Sequence, residues 1–349
     1  MKRRIFVLLL ILALYLVGCE KAPGEETLPS VTETVPTTAV PTTVPPETTA
    51  PPTTVPPETT EPEVLLFPKG EVQAVLLYFA DILYVQEEET VSELPEEYVY
   101  AGTVFEGKPK AVPSQAGVGC HLPAGTEFFG SPVNPDYLFT ACEEGFKRMV
   151  RAGLADTGWS KTAVKTAVPE NYTQVFFRDL FTLNTVGENY YNIAAPMEFN
   201  SPRYLNLQEL FYNGFAELNQ GKVPLTEEET AFLLANGFGE NMPLSDAERI
   251  PEANMDAVLQ RFFGLSLAET KGVGLKEIGV YHKESKCYYA WVSGMNWCFI
   301  DVAEARYDEE TGTGAVTITC DVGVKYQMEM TLQREENVLR MVSNKRTDG

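Results

Sequence analysis

The chain has 349 residues, with 27 basic and 49 acidic side chains for a net charge of −22 and 44% hydrophobic content. That balance excludes a nucleic-acid-binding surface and adhesion to anionic lipid, both of which favour a basic face. No HExxH, CxxC, GxSxG, SxxK or P-loop pattern occurs, so no metal, cofactor or familiar nucleophile is indicated.

In chain order, Lys2, Arg3 and Arg4 precede an apolar run from Ile5 to Val17, followed by Gly18 and Cys19. A basic start, a short apolar stretch and a small residue have the layout of a secretory signal peptide. The thirteen-residue run spans roughly 20 Å as a helix. A bilayer core is roughly 30 Å thick, so the run is too short for a spanning anchor, and no later segment approaches the length needed. Leu16-Val17-Gly18-Cys19 resembles the lipobox of bacterial lipoproteins. The resemblance implies that residues 1–18 are removed, that the Cys19 thiol carries a diacylglycerol, and that the protein sits on the extracellular side of the cell membrane. Two acyl chains anchor stably where one holds only marginally. Without Lys2, Arg3 and Arg4 the mature chain has 24 basic residues against 49 acidic ones, a balance of −25.

Residues 19–63 are rich in Pro, Thr, Val and Glu. Thr42-Thr43-Val44-Pro45-Pro46-Glu47-Thr48-Thr49 recurs eleven residues later as Thr53 to Thr60. Such a composition cannot bury a core. Its prolines favour an extended chain of about 3.1 Å per residue, a stalk reaching at most roughly 130 Å.

The composition changes at Val64, and the rest is long enough for two domains. Residues 64–155 read as a small β-rich domain. Val72 to Val85 is apolar and aromatic, and Tyr98-Tyr100, Glu127-Phe129 and Tyr137-Phe139 are further strands separated by Pro and Gly turns. Residues 165–349 read as an α+β domain. Asn206 can cap a short helix, Thr226-Glu227-Glu228-Glu229 is a capping-box pattern, and the periodicity of Met255, Val258, Leu259 and Phe262 predicts a helix over 252–263 closed by Gly264. The last seventy residues alternate as six strands with short links, which predicts one antiparallel meander. The expected fold class is therefore α+β, a β-rich part followed by helices on a curved meander, an element order that resembles a cystatin- or NTF2-like cone. The body is also similar to uncharacterised lipoproteins of clostridia-like Gram-positive bacteria, through Leu94-Pro95-Glu96-Glu97, Leu122 to Thr126, Leu210 to Gly214 and Phe263 to Ser266. That resemblance implies an envelope protein and no catalytic residues.

Candidate sites are sparse. Adjacent Cys120 and His121 point to opposite faces of an extended chain and do not make a nucleophile and base. His282 reads as a surface residue at a hairpin edge. Gly264-Leu265-Ser266 lacks the preceding strand of a serine elbow. Asp308, Glu310 and Gly312 read as a hairpin turn rather than a calcium loop, and the acidic runs, Glu227 to Glu229 among them, as solvated faces and helix starts. If Cys19 is lipidated, Cys120, Cys142, Cys287, Cys298 and Cys320 remain, an odd number. Cys120 with Cys142, or a pair among the last three, are open alternatives to reduced thiols. Cys320 is in phase with Val316, Ile318 and Val322, as a buried cysteine would be. The one candidate ligand surface is aromatic. Tyr288 and Trp297 are placed to stack against a sugar or peptide from the face of a hairpin opposite Tyr289 and Trp291. The expected function is a lipid-anchored, non-enzymatic module that contacts an envelope protein, peptide or glycan. The alternative is a hydrolase of wall polymer built on dispersed carboxylates.

Overall fold

The computed structural model describes residues 72–108, 111–154, 168–183, 189–213, 224–239, 243–291 and 299–347. The class is α+β. Strands β1 (Leu76–Phe79) and β2 (Ile82–Val91) split the apolar stretch after Val72 into a hairpin. Ala80 and Asp81 form its turn with φ of +51° and +60°, the left-handed pair of a type I′ turn that matches strand twist. With β3 (Val99–Thr103), β4 (Glu106–Gly107), β5 (Val118–Cys120), β6 (Glu127–Gly130), β7 (Tyr137–Cys142) and β8 (Gly145–Arg151) they make one sheet in the order β3-β6-β7-β8-β2-β1-β5-β4.

The two ends of that order are neighbours in sequence, linked by Val104 and Phe105 alone. The Val104 N–H donates to the Thr126 carbonyl at 2.8 Å on one side, and the Phe105 N–H to the Gly117 carbonyl at 3.1 Å on the other. The sheet thus rolls so that its two ends are joined through this link, while the outer edge of β3 pairs with another part of the chain. The bend in β3 falls at a bulge between Tyr100 and Gly102. Gly102 has φ +148°, and a Cβ there would lie 2.1 Å from Leu183 Cδ2, so only glycine fits.

Helices α1 (Tyr172–Thr182), α2 (Tyr190–Ala194) and α3 (Leu207–Asn213) follow. Phe176 of α1 meets Phe79 of β1 edge-on at 5.3 Å, while Phe177 faces Tyr307 of the C-terminal sheet at 6.5 Å. One helix therefore fills the space between two sheets. The division expected between 155 and 165 lies outside the described residues. On either side of it, Leu77, Phe128, Phe181, Met330 and Met341 belong to one continuous core.

The expected six-strand meander is two sheets. Its first two strands, β10 (Val280–His282) and β11 (Cys287–Trp291), pair instead with β9 (Ala247–Pro251) in the order β10-β11-β9. The last four, β12 (Phe299–Asp308), β13 (Thr313–Asp321), β14 (Lys325–Glu335) and β15 (Val338–Arg346), form the meander. Val316, Ile318 and Cys320 point into the core, but β13 stops at Asp321 and Val322 is exposed in the turn. Between β9 and β10 lies α5 (Glu252–Phe263), which ends at Gly264 with φ +71°, a left-handed cap. Helix α4 (Glu227–Ala235) lies on the three-stranded sheet, where Leu233, Phe238, Cys287 and Tyr289 make a small core apart from the main one.

Candidate functional site

Cys19 and Trp297 lie outside the described residues. Tyr288 is 8% exposed and belongs to the main core, with its ring 4.8 Å from that of Tyr281. The expected open stacking face is closed because β11 is covered on both sides, Tyr288 and Ala290 by the main core and Cys287 and Tyr289 by the core under α4.

Cys120 is fully buried, and burial pushes its thiol up. His121, at φ +58°, turns out to solvent and places Nε2 2.7 Å from the Val72 carbonyl oxygen. Cys120, Cys142 and Cys287 carry free thiols, so the Cys120 to Cys142 bridge is not formed. Ser266 caps the short turn Leu267–Glu269 in a capping box. The Asp308 carboxylate accepts the Thr311 N–H at 3.0 Å, a turn-closing bond. Among the described residues no three His, Cys, Asp or Glu side chains are grouped to hold a metal.

Two residues read as solvated prove to be buried at the centre of a polar cluster. His282 is 4% exposed and Glu229 is 2% exposed. Thr226 caps α4, its hydroxyl accepting the Glu229 N–H at 3.2 Å while its own N–H donates to Glu229 Oε2 at 2.8 Å. The other carboxylate oxygen accepts the Tyr289 hydroxyl and pairs with Arg249 at 3.2 Å. Burial alone would raise the Glu229 carboxyl, but the Thr226 N–H, the Tyr289 hydroxyl and Arg249 together hold it below the usual value. Burial and the same bond push the Tyr289 phenol up to about 12. Arg249 Nε donates onward to Cys287 Sγ at 3.3 Å.

Beside this lies a second chain of contacts. His282 Nδ1 is 2.9 Å from Ser285 Oγ, and its Nε2 is 3.4 Å from Glu284. A hydroxyl, an imidazole and a carboxylate in sequence is the geometry of an activated nucleophile. Here all three belong to one four-residue turn, the Ser285 N–H also donates to Nδ1 at 3.4 Å, and the imidazole packs 4.6 Å from the Phe232 ring. The arrangement closes a hairpin and seats it under α4.

A third cluster ties α1 to the first hairpin. Asp179, 3% exposed, accepts the Ala80 N–H at 2.8 Å, and Arg178 spans Asp179 at 2.7 Å and Asp81 at 2.9 Å. Burial pushes the Asp179 carboxyl up, by more than Arg178 and the Ala80 N–H pull it down. The carboxylates brought close, Asp81 with Asp179 and Glu87 with Glu89, each share an arginine, Arg178 and Arg148.

Two clefts lie elsewhere. One of about 410 Å³ is lined by Val133, Pro135, Val168, Tyr172, Gln174 and Glu304, and one of about 390 Å³ by Arg306, Tyr307, Asp308 and Thr311. Glu229 was missed because an acid in a charged run reads as solvated, and Asp179 because its partner, the Ala80 N–H, is far away in sequence. The available signal for Asp179 was its place on an apolar helix face, with Val175, Phe176 and Leu183 three and four residues away. The chain matches no family model, no curated protein and no solved structure.

Proposed function

We propose that the chain is a lipid-anchored surface lipoprotein whose body binds a partner in the cell envelope without catalysing a reaction. The observation that carries this reading is Leu16-Val17-Gly18-Cys19 after a basic start and a thirteen-residue apolar run. The Pro- and Thr-rich stretch to Glu63 supplies a spacer between foot and body. In the body, the buried ionisable groups support the reading because their bonds cap a helix, close a turn or pin a hairpin. The partner is an envelope protein, peptide or wall glycan. The acidic balance disfavours nucleic acid.

The test is Cys19→Ala. The wild-type protein is expected to incorporate labelled palmitate and to fractionate with membranes, and the variant to do neither. Equal membrane retention of the variant would overturn the anchor. Turnover of wall fragments or peptides by the purified full chain would overturn the non-catalytic reading and favour a hydrolase.

A further inference from the structure

Of the nine residues of α4, Glu229 and Leu233 are buried, while Leu234 is 52% exposed on its outer side. The helix thus meets the body through two apolar side chains, Leu233 and the half-buried Phe232. Its core with Phe238, Cys287 and Tyr289 is separate from the main one. What it has in addition is the Glu229 carboxylate, which binds at once to its own cap, to β9 through Arg249 and to β11 through Tyr289. We propose that α4 is a lid over the Cys287 and Tyr289 face of β11, latched by the Glu229 carboxylate, which lifts as a unit when that charge is lost while the main core stays folded.

The physical grounds are local. Stability is not uniform through a fold, and segments with few buried apolar contacts open first. Removing a buried ionic acceptor leaves its donors short of a partner, here the Arg249 guanidinium and the Tyr289 hydroxyl. The groups facing Glu229 are Arg249 from β9, and Tyr289 and Cys287 from β11. Beyond Tyr289 lie Ser285, at 3.4 Å from its hydroxyl, then His282 and Glu284. Glu227 and Glu228 on α4 itself and Lys283 and Lys286 on the turn are exposed. Because the Glu229 carboxyl is held below its ordinary value of 4.5, the latch is complete above that value and is lost as pH falls through the lowered one. Lifting the helix uncovers the buried Cys287 thiol. Cys120, buried in a separate cluster of the rolled sheet, stays covered, and Cys142 is exposed throughout.

The experiment is alkylation of the full chain with iodoacetamide at neutral pH, read cysteine by cysteine by mass spectrometry, for wild type and Glu229→Gln. Cys287 is expected to react about tenfold faster or more in the variant, with Cys120 equally protected and Cys142 equally fast in both. Unchanged protection of Cys287 would overturn the lid, and so would joint exposure of Cys287 and Cys120. Should the variant fail to fold, hydrogen exchange of the wild type replaces it. Amides of 227–235 are expected to lose protection as pH falls from 7 to about 2, below the lowered value, relative to those of β13 and β14, after correction for intrinsic rates. A loss in step with β13 and β14, or none, would overturn the proposal. Neither readout depends on the lipid anchor.

Discussion

Asp179 is a carboxylate in a nearly dry site, and its bonds explain why it is there. The type I′ turn of the first hairpin uses Ala80 and Asp81, neither of them glycine, in the left-handed region. Each non-glycine residue there costs roughly 1 to 2 kcal/mol. The Ala80 N–H, turned towards α1 by that conformation, finds its acceptor in Asp179. Asp179→Ala is expected to lower stability by about 3 kcal/mol, because it leaves Arg178 and a buried N–H short of an acceptor. Asp81→Ala is expected to cost under about 1 kcal/mol, since that end of the ion pair is exposed and screened. Urea denaturation of both variants measures the difference. The pH dependence has a definite sign. The folded Asp179 carboxyl is raised above its ordinary 3.8, so the native state holds the proton more tightly. Its contribution is therefore full below that value and declines as pH rises through the raised one. Stability curves from pH 3 to 7 should accordingly rise more steeply with pH for Asp179→Asn than for wild type.

At the scale of elements, α2 has only five residues and needs outside partners for its last carbonyls. Asn344 of β15 provides them. Its Nδ2 donates to the carbonyls of Ala195 and Met197 at 2.8 Å each and of Ala194 at 3.2 Å, and its backbone exchanges hydrogen bonds with Phe199. Asn344→Ala is expected to cost about 2 kcal/mol, since it strands buried acceptors and opens a small cavity. Chemical denaturation checks this. Helix α5 and strands β13 to β15 were readable from local patterns, because a 3.6-residue or two-residue alternation arises when one face is buried and the other wet, whereas most of β12 is exposed and its half beyond Val302 was not read as strand. Strand β9 was not readable. Of Ala247 to Pro251 only Ile250 is buried, and its partner β11 lies about forty residues away. The split of the meander follows from that long-range pairing. Gly279, just before β10, lets the backbone pass close to Tyr289, where a Cβ would lie 2.1 Å from its carbonyl oxygen.

For the body as a whole, the rolled sheet and the meander depend on each other. The Tyr100 N–H donates to the Asn337 carbonyl at 2.7 Å, and Asn337 Nδ2 donates to the Tyr98 carbonyl at 2.7 Å, so the tip of the β14–β15 hairpin completes the edge at β3. Phe79 and Phe128 pack with each other, and Phe79 with Phe176 of α1. A fragment ending at residue 155 would expose these rings and carry unpaired edge groups. It is expected to show no dispersed amide spectrum. The full chain is expected to unfold in urea with coincident transitions by circular dichroism and tyrosine fluorescence. A folded fragment would count against this interdependence.

Composition and the order of elements along the chain were sufficient for the α+β class, since alternation, helical periodicity and turn residues are local features. Burial is different, because it depends on what arrives from the far side of a residue. Tyr288 lost its expected open face to the main core and to the Tyr281 ring. His282 and Glu229 left the surface when α4 folded over β11. Asp179 found its role because a hairpin some hundred residues earlier in the chain presents an N–H that no residue near it in sequence can satisfy.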